Sequence, residues 1–120
     1  MDERRARGNR GEAAVAAYLQ GKGWRVISRQ YRCRQGEIDL IVRAPEGTLC
    51  FVEVKSRSDS RFAQAREFVT AAKQGRLRAA AADYLAREEL DCPCRFDVAE
   101  VYPGPSGWAD PVINYIMDAF

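Results

Sequence analysis

Histidine is absent from this chain of 120 residues. That removes Ser-His-Asp and Cys-His catalysis, histidine-coordinated zinc and histidine general bases in one step. Cysteine is sparse and poorly spaced for metal. Cys33, Cys50, Cys92 and Cys94 form no CxxC pair, and Cys92-Pro93-Cys94 is too tight for a zinc knuckle. Reduced, mostly buried thiols are the expectation. No stretch approaches the roughly 20 apolar residues that span a bilayer. The charged start, MDERRARGNR, lacks the apolar segment of a secretion signal. These absences point to a cytoplasmic protein with no membrane partner. Repeats, low-complexity tracts and linkers are missing too, so residues 1–120 read as a single domain with one core. Residues 1–8 read as a basic, flexible N-terminal arm.

What is present is concentrated in residues 36–57, GEIDLIVRAPEGTLCFVEVKSR. Ile38, Leu40 and Val42 alternate with Asp39; Cys50, Val52 and Val54 alternate with Glu53 and Lys55. Such alternation is the strand signal. Ala44-Pro45-Glu46-Gly47 supplies a tight turn between the two runs. A regular hairpin centred on Glu46 sets Asp39 opposite Glu53 and Glu37 opposite Lys55. Strands lie roughly 4.8 Å apart, so the two carboxylates come within reach of one cation. Cross-strand ion pairs on a wet face are the plainer reading. Against it, Ile41, Leu49 and Phe51 share that face, as expected when something covers each side of the sheet. Carboxylates pressed together and desolvated repel unless a cation or proton compensates them.

The remaining periodicity gives a helix over 10–22 and a strand over 24–33. After the hairpin come a polar connection (SDSRFAQAR), a helix over 70–89, a strand over 95–102, a loop over 103–107 and a short strand over 112–116. Glu12 falls one turn before the apolar stripe Val15, Ala16 and Leu19. It is either paired or metal-bound in the core, or wet and favouring the helix start through the macrodipole. Lys73 sits on the apolar line of the second helix, where its stem can snorkel. Gly75 is a candidate break in that helix. The first strand and the segment ending in Tyr115, Met117 and Phe120 offer a homodimer surface, or else complete the core.

Net charge is only +2, but residues 1–82 carry 17 Lys/Arg against 9 Asp/Glu, and residues 83–120 carry 2 against 8. A polyanion meets the first part favourably and is repelled by the last. An acidic hairpin inside a basic surround suits a nuclease. Asp39 and Glu53 are candidate ligands for Mg²⁺ or Mn²⁺, with the Val54 backbone carbonyl a third; such ions favour oxygen donors and keep several waters. Lys55, on the same face, can orient a water and stabilise developing charge.

On Gly11-Glu12, Gly36-Glu37-Ile38-Asp39-Leu40-Ile41 and Phe51-Val52-Glu53-Val54-Lys55 with Arg57, the chain resembles the PD-(D/E)xK nuclease superfamily. More closely, it looks like the bacterial YraN-like family of uncharacterised, expected endonucleases. Val69 with Lys73, Arg95-Phe96-Asp97-Val98 and the closing Asp118-Ala119-Phe120 match as well, so the likeness covers nearly the whole chain. It implies an α/β, restriction-endonuclease-like fold, a central mixed sheet flanked by helices in the order α-β-β-β-α-β-β. It also implies a catalytic set of Asp39, Glu53 and Lys55, with Glu12 contributing from the helix. Arg57, Lys73, Arg34 and Arg76 are candidate contacts to nucleic acid, DNA ahead of RNA. Archaeal Holliday junction resolvases share the layout, which makes branched or single-stranded DNA a candidate substrate by analogy. The alternative is a non-catalytic nucleic-acid-binding or assembly module on the same fold.

Overall fold

A computed structural model describes residues 3–57 and 69–120. Its elements are α1 (Glu3–Gly21), β1 (Arg25–Cys33), β2 (Gly36–Arg43), β3 (Leu49–Ser56), α2 (Ala71–Arg87), β4 (Cys94–Gly104) and β5 (Gly107–Ile116). This is the α/β order expected from the sequence, built on a mixed five-stranded sheet ordered β1-β2-β3-β4-β5. β3 and β4 are parallel and the other neighbours antiparallel. A parallel pair needs a long crossover, and α2 lies within it. The polar connection, residues 58–66 with Arg61 and Arg66, lies outside the described residues.

The β2–β3 hairpin has the anticipated register: Leu40 faces Val52, Ile41 Phe51, Val42 Cys50 and Arg43 Leu49. Its turn closes through Gly47, whose φ of 104° suits only glycine readily. Both faces are covered. Val15, Ala16 and Leu19 of α1 pack with Leu40, Val42, Cys50 and Val52. On the opposite face, Leu77, Ala80, Ala81 and Tyr84 of α2 pack with Ile38, Ile41, Leu49 and Phe51.

Three boundaries differ from the sequence reading. The arm expected over residues 1–8 is helical from Glu3, in keeping with the good helix formers Glu, Arg and Ala there. α2 runs unbroken through Gly75, because tertiary packing of its apolar face outweighs the propensity cost of one glycine. β5 begins at Gly107, not at residue 112. Pro111 is tolerated because β5 is an edge strand. The C-terminal segment helps complete the core: Ala119 N–H donates to the Phe96 carbonyl at 2.7 Å, and Phe120 stacks on Phe96. Met117 alone of the apolar trio is exposed. No helix among the described residues is long and apolar enough to cross a membrane.

Candidate functional site

The site forms where β2 and β3 part. Their pairing runs as far as Leu40 and Val52, so Asp39 and Glu53 occupy the next step. There the Val54 N–H donates to Asp39 Oδ2 at 2.8 Å, and a side-chain carboxylate takes the place of a ladder carbonyl. The side-chain alternation of β2 also breaks at this point. Ile38 belongs to the α2-side core with Ile41, whereas Leu40 belongs to the α1 side. On β1, the register places Gln30 opposite Asp39, and Gln30 has a φ of 55°. Such a local irregularity re-aims side chains.

Glu53, on β3, is 5% exposed. Its Oε1 is 2.6 Å from Lys73 Nζ and 3.5 Å from Lys55 Nζ. Lys73 reaches it from the first turn of α2, which Thr70 caps by accepting from the Lys73 N–H. Burial, and then the negative charge of Glu53, pushes Asp39 up to about 7 despite the Val54 N–H. Burial holds Lys55 below the usual lysine range, against the pull of Glu53. Burial also pulls on Lys73, but its contact with Glu53 more than restores it, and it lies above the usual range. Asp39, Glu53, Lys73, Arg76, Glu37 and Gly36 line a cleft of about 280 Å³.

Glu12 is brought near but not into this group. Its carboxylate faces Arg29 Nε (Oε1, 3.5 Å) and Gln30 Nε2 (Oε2, 3.5 Å). Oε1 is buried and held by the Arg29 ion pair without a well-formed hydrogen bond. Burial raises the Glu12 pKa, and its charge in turn raises that of Asp39. The two open readings of Glu12 are thereby resolved for burial. Among the described residues, however, no three acidic or thiol side chains gather closely enough to cage a metal. Glu12 stays beside the pair, close enough for its charge to reach Asp39, with Arg29 and Gln30 as its own partners. Gly11 lets α1 approach β3 here, since a Cβ at that position would collide with Ser56 Oγ.

Other sequence candidates are placed elsewhere. Glu37 does not meet Lys55; it pairs with Arg32 across β1–β2 (3.6 Å), because β2 and β3 have already separated. Arg57 Nε lies 3.6 Å from the fully buried Glu100, outside the residues lining the cleft. Arg34 is exposed in the β1–β2 turn, and Arg76 lines the cleft. Lys73 as the partner of Glu53 is the contact that sequence reasoning missed. A cation in the first turn of a helix, where the dipole opposes it, was the available signal. Arg29 and Gln30 carried no signal, since the positive φ at Gln30 leaves none in the alternation.

Residues 11–101 match the model of the uncharacterised protein family UPF0102. The chain belongs to that family. It is 48% identical over 103 residues to a UPF0102 protein of Cupriavidus pinatubonensis, covering 86% of this chain and 81% of that one. A UPF0102 protein of Symbiobacterium thermophilum is 52% identical over 101 residues, covering 83% and 85%. One from Nitrosomonas europaea is 46% identical over 116 residues, 94% of each chain. The solved structure of Pyrococcus furiosus SfsA in complex with Ca²⁺ superposes with a TM-score of 0.33 and 16% identity. It covers 94% of this UPF0102 chain, which spans 63% of that one; a likeness at this level carries no argument.

Proposed function

We propose that this UPF0102 protein is a divalent-cation-dependent nuclease that hydrolyses phosphodiester bonds in DNA, with Asp39 and Glu53 holding Mg²⁺ or Mn²⁺. The observation that carries the reading is geometric. Where β2 and β3 part, Asp39, held by the Val54 N–H at 2.8 Å, and the buried Glu53 line one cleft together with Lys73 and Arg76. These are two carboxylate donors of the kind a divalent cation takes.

The donor set fits. Mg²⁺ is commonly bound through one or two carboxylates, with waters and substrate phosphate oxygens filling the rest. A strand residue directs its N–H and C=O to the same edge, which supports the Val54 carbonyl as a further ligand. Glu12, held back by Arg29 and Gln30, adds negative potential without being a direct ligand. When bound, such an ion lowers the pKa of a water and offsets charge on the scissile phosphate. Lys55 holds its ammonium 3.5 Å from Glu53, suited to orienting the attacking water and to stabilising charge on the phosphate oxygens. Lys73 and Arg76 suit the flanking phosphates. Branched or single-stranded DNA remains the proposed substrate form, by analogy of layout.

One observation favours a second reading, a non-catalytic nucleic-acid-binding module: Lys73 and Lys55 already compensate Glu53 within the chain. The test is incubation of purified protein with plasmid, single-stranded and branched DNA plus Mg²⁺ or Mn²⁺. Cleavage abolished by Asp39→Asn and by Lys55→Met supports the nuclease. Binding without cleavage at any cation concentration supports the second reading.

A further inference from the structure

The ion pair between Lys73 and Glu53 is the shortest charged contact in the cleft, at 2.6 Å. It falls on the carboxylate that the nuclease reading gives to a metal. A cation on that carboxylate would sit about 2.1 Å from an oxygen, within a few ångströms of Lys73 Nζ. Two cations that close, in a half-buried cleft, repel strongly. Lys73 is also poorly placed to stay for any other reason. It lies in the first turn of α2, where the helix dipole disfavours positive charge, and Glu53 is the acid that it contacts. Its side chain is a third exposed and lines the open cleft beside Arg76. A four-carbon stem can therefore leave Glu53 and remain in the cleft.

We propose that Lys73 is the resident counter-ion of Glu53 and yields to the divalent cation, so that occupation of the acid pair and release of an ammonium toward the cleft are one exchange. The exchange rests on the reading of Asp39 and Glu53 as the cation pair. It keeps Glu53 compensated in both states and presents the freed Lys73 to a phosphate only after the cation is in place. Lys73 is thus a positioning residue that links cation binding to substrate binding.

Calorimetric titration with Mn²⁺ of the wild type, Lys73→Met and Arg76→Met tests this. Arg76 is the control for simple removal of a nearby positive charge. Loss of the competitor should tighten binding by Lys73→Met about tenfold, the worth of one charge-assisted contact. Arg76→Met should stay within about twofold, as expected for a screened, exposed charge. Unchanged or weaker binding by Lys73→Met, or an equal gain in Arg76→Met, overturns the exchange. The folded wild type gives an independent reading, which decides the matter if Lys73→Met does not fold. In lysine-labelled NMR, the Lys73 side-chain resonance should move with Mg²⁺ over the range in which calorimetry saturates. A resonance that stays fixed while the ion binds overturns the exchange alone. If the wild type binds no cation, the acid-pair reading and the exchange fall together.

Discussion

At the scale of single residues, Asp39 is an acid held far from its ordinary protonation range. Its carboxyl is raised from the ordinary 3.8 to about 7, through burial first and Glu53 second. Between those values the folded chain holds a proton that the unfolded chain has released. Stability of the cation-free protein therefore falls as pH rises through that window. Thermal melts in a chelator between about pH 4.5 and 7.5 should show this decline in the wild type and a much flatter profile in Asp39→Asn. A divalent cation should lift the wild-type midpoint most at the upper end of that range, where Asp39 is ionised. Lys55 gives a second prediction at this scale. Lys55→Met should lower the single-turnover cleavage rate by about a hundredfold or more, as for loss of one donor aimed at developing charge, while leaving a folded protein with unchanged thermal stability at neutral pH to within about 1 kcal/mol.

At the scale of elements, the site depends on how α2 starts and how β2 and β3 diverge. Thr70→Ala removes the cap that accepts from the Lys73 N–H and should cost about 1 kcal/mol in urea denaturation. A glycine pair gives a contrast. A Cβ on Gly104 would collide with the Asp110 backbone carbonyl across the β4–β5 hairpin, whereas one on Gly36 would meet Arg76 at an ordinary 3.5 Å. Gly104→Ala should therefore destabilise by about 1–3 kcal/mol, and Gly36→Ala by much less. Much at this scale was legible in the sequence. The strict alternation about Pro45-Glu46-Gly47 fixed the hairpin register, and hence the adjacency of Asp39 and Glu53. The apolar spacing of Val15, Ala16 and Leu19 and of Leu77 and Tyr84 located both helices. What was not legible depends on backbone irregularity and on distant contacts. The positive φ at Gln30 leaves no trace in the pattern of residue types, so the capture of Glu12 by Arg29 and Gln30 could not be read. The early parting of β2 and β3, which releases Glu37 from Lys55, follows from Asp39 taking the Val54 N–H, a choice that alternation cannot express. The ion pair of Arg57 with Glu100, more than 40 positions later, could not be read from the Glu-x-Lys run either.

At the scale of the whole molecule, the uneven charge, with 17 Lys/Arg against 9 Asp/Glu in residues 1–82 and 2 against 8 thereafter, should orient a polyanion. The cleft cations Lys73 and Arg76 belong to the basic part; the β4–β5 hairpin belongs to the acidic part. DNA binding should weaken steeply with salt. Each of Lys73→Met and Arg76→Met should reduce the log–log slope by about 0.9 if each meets one phosphate of a duplex. The most direct measurement of the central claim is Mn²⁺ binding by the wild type, Asp39→Asn and Glu53→Gln, each confirmed folded. The account predicts a single ion per wild-type chain and loss of that ion in both variants. A wild-type chain that takes up no Mn²⁺, or uptake indifferent to both substitutions, would contradict it.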